Sequence, residues 1–181
     1  SNLILANNSL EQLNIVNNIK KNYYFQKKNS LLEILDNTKT LIGKRLFRSR
    51  LMNPITHIRD LNSRYNTIDN YNYMDNDFKN IVARNIKDVV DIQNVLCKLR
   101  RGTFKYVDIL PLSNSLSIIL NLLGLISKTK LKSIIPKDLV KSKFESIEAL
   151  QKLLETTFNL DYLSNTQIYN FEIDRSIFNF N

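Results

Sequence analysis

Residues 103–127 read TFKYVDILPLSNSLSIILNLLGLIS. Within them Leu116, Ile119, Leu120, Leu123 and Ile126 recur at three- and four-residue spacing, the period of an α-helix. The second half is apolar on nearly every side, so a helix from about Thr103 to Ser127 is expected to be central. Pro111 lies inside that span and is expected to kink it. The longest apolar run, Leu116 to Ile126, is interrupted by Ser117 and Asn121 and is too short to cross a bilayer.

Working outward, the same period recurs on both sides. Upstream, Ile92, Val95, Leu96 and Leu99 form a stripe on a helix near Val89 to Arg101, which Gly102 ends. Cys97 lies beside that stripe and reads as a small core filler. A helix over Asp77 to Lys87 follows a loop of Asn, Tyr and Asp at Asn70 to Asn76. Ile58, Leu61, Tyr65 and Ile68 mark another helix, with Thr56 placed to cap it. A helix from about Thr40 to Leu51 puts Ile42 and Leu46 inward, with Lys44 and Arg48 on another face. Pro54 ends it, because the residue before a proline is driven out of the helical region. Ser30 and Glu33 make a capping box ahead of Leu31, Ile34 and Leu35. Downstream, Pro136 suits the first turn of a helix that carries Leu139, Phe144, Ile147, Leu150 and Leu154. The tail, Thr156 to Asn181, reads as turns and short extended pieces. The fold class that results is all-α: a bundle of six or seven helices around one core. Three Gly and three Pro among 181 residues agree with long helices and few breaks.

The net charge of +9 is concentrated. Residues 20–59 hold ten Lys or Arg against Glu33 and Asp36. Such an excess attracts phosphate or an acidic protein surface, or is simply a solvated face. One cysteine excludes an internal disulfide and fits a reducing, intracellular compartment. Ser1 to Leu13 lack the basic start and apolar run of a signal peptide. His57 is the one histidine and reads as a surface residue in a helix's first turn. A zinc set or a Cys–His nucleophile pair would need His57 and Cys97 to converge, and the rest of a ligand set is missing. Gly43-Lys44 does not make a phosphate loop, since Thr38 stands at its first glycine position and Arg45 at its hydroxyl position. Asp75/Asp77 and Asp88/Asp91 read as helix termini. No catalytic residue, cofactor-binding residue or metal ligand is expected. Lys44, Arg45, Arg48 and Arg50 are the candidate DNA-binding residues.

Residues 30–64 carry an ordered set: Leu31-Leu32, Leu35-Asp36, Thr38, Thr40, Gly43, Arg45-Leu46, Leu51, Pro54-Ile55, Ile58 and Arg64. This set resembles the start of the core domain of the MutS family of DNA mismatch-repair proteins. Val90-Asp91-Ile92 through Val95-Leu96 and Leu99 are similar to a second family block, although Gln93 and Asn94 replace its Glu-Arg pair. Arg50-Leu51 stands where the family often has Trp-Leu. The resemblance implies an entry segment at 1–29, a helical lever at 30–157 and a segment approaching the clamp at 158–181. It further implies that Asp36, Thr38, Thr40, Gly43, Arg45, Leu46, Pro54, Arg64 and Asp91 serve architecture. Thr38 and Thr40 would cap a helix start and Gly43 would permit close helix approach.

The family's mismatch-reading Phe-x-Glu motif and its Walker motif are not in this sequence. The resemblance therefore implies a structural, signal-transmitting piece that is not itself an enzyme. ATP and Mg²⁺ are expected in an ATPase domain elsewhere in a parent chain. The partners expected are other domains of that parent, mismatched duplex DNA bound through it, and a second copy in a dimer, with no membrane. Two other readings are a stand-alone basic helical interaction module and a weak, sequence-independent DNA binder.

Overall fold

The computed structural model describes residues 9–16, 30–135, 142–165 and 175–179. Two compact units, Ser1–Asp69 and Asn70–Asn181, divide the chain. Among the described residues the architecture is all-α, with α1 (Ser9–Gln12), α2 (Leu31–Leu35), α3 (Leu41–Met52) and α4 (Ile58–Asn72) followed by α5 (Asn76–Lys87), α6 (Ile92–Arg100), α7 (Ile109–Ser127), α8 (Ser142–Thr157) and α9 (Leu160–Asn165). Nine α-helices are thus described where six or seven were expected; α1, α2 and α9 are one or two turns each. The proline-led start at Pro136 lies outside the described residues.

The second unit is organised by α7. Ile109, Leu112, Leu116 and Leu122 of α7 are buried, and α5, α8 and α9 pack against this helix. Val95 of α6, Leu154 of α8, Leu163 of α9 and Ile177 complete the core. Each such side chain withdrawn from water contributes about 1.5–3 kcal/mol. Phe158 pairs with Phe178 by an isolated antiparallel bridge, and their rings lie 5.5 Å apart. The tail, expected as turns and extended pieces, thus includes a short helix and supplies two core residues.

Several expectations are corrected. α7 begins at Ile109, not near Thr103: a 3-10 turn at Tyr106–Asp108 precedes it. Pro111 therefore falls in the first turn, where a backbone N–H has no intrahelical acceptor, and it breaks no bond of a helix interior. With that turn, Tyr106–Ser127 spans 22 residues and is long and apolar enough to cross a membrane, so the length argument against a span fails. The packing of α5, α8 and α9 on α7 marks it instead as the core helix of this unit. The loop expected at Asn70 to Asn76 is shorter, because α4 runs to Asn72 and Asp75 already caps α5 through Phe78 N–H at 2.8 Å. Cys97 is exposed rather than a core filler. In α6 only Val95 is fully buried, while Leu96 and Leu99 face outward.

The first unit is built differently. Ser30 is buried and caps α2 with Glu33 in a reciprocal box. The next two free N–H groups of α2 donate to Asn14 O and Ile15 O at 2.8 and 3.1 Å. Of the described apolar residues here, Leu32 is the one that is buried. Leu46, expected inward, is exposed. Leu61 N–H bonds His57 O, and α4 starts at Ile58, so His57 rather than Thr56 stands immediately ahead of the helix.

Candidate functional site

Residues 36–46 assemble one local device. The Asp36 carboxylate accepts from the Thr38 N–H at 3.0 Å and from its hydroxyl at 2.5 Å. Thr38 therefore serves the turn and does not cap the helix. Thr40 is the cap of α3; its Oγ1 accepts from Gly43 N–H at 3.0 Å. A Cβ on residue 43 would sit 3.0 Å from that hydroxyl oxygen and 3.6 Å from Thr38 Cβ. Gly43 thus makes room for the capping turn ahead of α3, where sequence reasoning placed a neighbouring helix. Lys44 Nζ lies 3.7 Å from the other Asp36 oxygen. The Thr38 hydroxyl and N–H, with the Lys44 charge, hold the Asp36 carboxyl below its ordinary value. Gly43 N–H is already bonded to Thr40 and lies inside α3, so no phosphate-wrapping loop exists there.

Lys44, Arg45, Arg48 and Arg50 are all exposed on α3. At about 100° per residue, Lys44, Arg45 and Arg48 share one face, and Arg50 points from nearly the opposite side. The helix thus brings together three of the four candidate DNA-binding residues. The end of α3 is set by Asn53, whose N–H bonds Ser49 O, one residue before Pro54. Arg64 is half-buried on α4. His57 is exposed and its Nδ1 lies 3.5 Å from Asp60.

In the second unit, Asp91 caps α6 by accepting from Asn94 N–H at 3.4 Å, and Asp88 stands at the end of α5. Lys98 of α6 reaches Asp108 at 2.5 Å, tying α6 to the turn that starts α7. Burial pushes the Asp108 carboxyl up. The Lys98 bond, the Lys105 N–H and the two lysine charges outweigh it, so the carboxyl lies below its ordinary value. Buried Ser115 accepts from Val90 N–H at 2.9 Å and donates to Pro111 O at 2.7 Å. An open cavity of about 430 Å³ is lined by Phe104, Tyr106, Phe158, Ile177 and Phe178, with Lys105 and Ile109. Among the described residues there is no cluster of three or more His, Cys, Asp or Glu that could hold a metal ion.

Among the tertiary contacts that sequence reasoning missed are Lys98–Asp108 and a partly buried group of Ser113, Ser117 and Gln151. The second had a signal, since Ser113 and Ser117 sit one turn apart on the most apolar helix of the chain. The first had none, because ten residues and a helix end separate its partners.

Comparison with known proteins gives a consistent result. The model of the family described as MutS domain III matches residues 8–173. A mutS homolog of Acanthamoeba polyphaga mimivirus is 28% identical over 149 residues, covering 79% of this chain and 13% of that protein. The DNA mismatch repair protein MutS of Clostridium novyi is 31% identical over 134 residues, with 70% and 13% covered. That of Trichodesmium erythraeum is 28% identical over 115 residues, with 64% and 12% covered. The chain therefore spans about an eighth of the length of these curated relatives. No solved structure matches.

Proposed function

The chain belongs to the MutS family, as its domain III, and from that membership we propose that it is the lever of a longer mismatch-repair protein. In this reading it carries motion between DNA-gripping parts and an ATPase domain that lies outside the chain, and performs no chemistry of its own. The observation that carries the reading is the α7-centred core. A relay must move as a body rather than deform, and close-packed interiors resist deformation. A long central helix covered by α5, α8 and α9 and tied to α6 through Lys98–Asp108 has that property. The partners this assigns are the other domains of the parent, mismatched duplex DNA bound through it, and a second parent copy. ATP and Mg²⁺ belong to the ATPase domain.

The test is made in the full-length parent. Leu116→Ala should soften the core while leaving nucleotide binding intact. Mismatch-stimulated ATP turnover is expected to fall toward the rate measured without DNA, with the unstimulated rate unchanged. Stimulation that survives undiminished would defeat the coupling role.

A second reading has its own observation: Lys44, Arg45 and Arg48 share one exposed face of α3. Three phosphate contacts there would give sequence-independent duplex binding whose logarithm falls with the logarithm of salt at a slope near −3, about −0.9 per contact. Binding that is absent at low salt, or unchanged when all three are neutralised, removes this reading.

A further inference from the structure

One layer of the contact between α7 and α8 is polar. Ser113 is 1% exposed and Gln151 9%. Gln151 Nε2 donates across the contact to Ser113 Oγ at 3.2 Å and Ser117 Oγ at 2.9 Å, and along its own helix to Glu155 Oε1 at 2.6 Å. Two N–H bonds are thus shared among three acceptors. The other amide atom, Gln151 Oε1, is buried with no hydrogen-bond partner. Such an orphaned oxygen costs stability that a leucine of similar size would not. The Gln151 Nε2 bonds to Ser113 and Ser117 tie one position of α8 to one position of α7, beside an amide oxygen that gains nothing from it.

The neighbouring rungs indicate what is specified. α7 repeats Leu or Ile on each turn, at Leu112, Leu116, Ile119, Leu120 and Leu123. Sliding α8 along it by one turn exchanges one such residue for another, so apolar contact alone discriminates weakly between registers. The polar rungs are also one turn apart: Ser113, Ser117 and then Asn121. After a one-turn slide Gln151 would face Ser117 and Asn121, which is exposed in the present register and whose amide N–H can donate to the oxygen now unpartnered. We propose that Ser113, Ser117 and Gln151 form a register lock between α7 and α8 that excludes a second register one turn along. One-turn ratchets of packed helices are a known form of switching. The lock does not depend on the coupling role proposed above.

The test uses the whole chain with Cys97→Ser and nitroxide labels at exposed Leu125 on α7 and Leu153 on α8. Pulsed electron-spin distance measurement is expected to give one narrow distance in this parent. Gln151→Leu takes the shared donor from Ser113 and Ser117 and should add a second population reflecting an axial slide of about 5 Å. Ser113→Ala with Ser117→Ala should add the same population. A single unchanged distance in both variants would overturn the proposal.

Discussion

Two stretches of this chain share one sequence pattern and end differently. Ile58, Leu61, Tyr65 and Ile68 recur along α4 at the spacing that Leu112, Leu116, Ile119 and Leu123 keep along α7. On α7 that spacing marks the centre of a core. On α4, Ile58 is 71%, Tyr65 58% and Ile68 55% exposed. Hydrophobic period identifies which face of a helix is apolar; the number of elements packed on it decides whether that face is dry. α7 has three helices and two 3-10 turns against it. The described part of the first unit is held by caps and backbone bonds: the Ser30–Glu33 box, the Thr40 cap and the α2 N–H groups bonded to Asn14 and Ile15.

The largest effect expected from this contrast is at the centre of α7. Leu116→Ala should cost about 2–5 kcal/mol, the usual range for a buried leucine truncated in a packed core. Urea unfolding measures it. A cost below 1 kcal/mol would mean that the second unit is as loosely covered as α4.

The next is Asp108→Asn, which leaves the Lys98 ammonium without its carboxylate. A loss of about 1–3 kcal/mol at neutral pH is expected, the range for a hydrogen bond to a charged group. The carboxyl is depressed in the folded chain, so its contribution is present above the ordinary carboxylate value of 3.8 and lost as pH falls through the lower folded value. Melting followed from pH 7 to pH 2 should show a shallower acid limb in the variant. An acid limb identical to that of the parent would place the acid sensitivity elsewhere.

The first unit should respond to its caps. Thr40→Ala is expected to cost about 1 kcal/mol. Gly43→Ala sharpens the point, because the added methyl would crowd the Thr40 hydroxyl. It should gain about 0.5–1 kcal/mol from helix preference when Thr40 is already alanine, and less when Thr40 is present. Additivity in this double-mutant cycle would show that the two residues do not share a space. The smallest effect is expected at Ile68→Ala, within about 0.5 kcal/mol, as for an exposed position. A loss comparable to that of Leu116→Ala would break the contrast outright.

Much of the fold was legible because helical period and capping chemistry are local. Ser30 with Glu33, Asp91 and Gly102 mark helix ends by rules that need only a few neighbouring residues, and the structure places them there. The start of α7 was misread because Thr103 to Asp108 has a composition a helix tolerates. The Lys98–Asp108 pair instead anchors a 3-10 turn, and that pairing is tertiary. The exposure of Ile58, Tyr65 and Ile68 was also beyond reach, since period carries no information on coverage. At the basic face, the residue types were visible from the start, but only the helix phase separates Arg50 from Lys44, Arg45 and Arg48. Gly43 was noticed for the right reason, lack of a side chain, and given the wrong neighbour.

The most direct test of a stiff α7-centred strut is native-state hydrogen exchange on the whole chain, residue by residue. Amides of α7 from Leu116 to Leu122 should exchange only through global unfolding, with a denaturant dependence equal to that of urea melting. Amides of α4 from Leu61 to Ile68 should exchange faster, through local opening that denaturant barely alters. Equal protection in the two helices, or local opening of α7, would contradict the account.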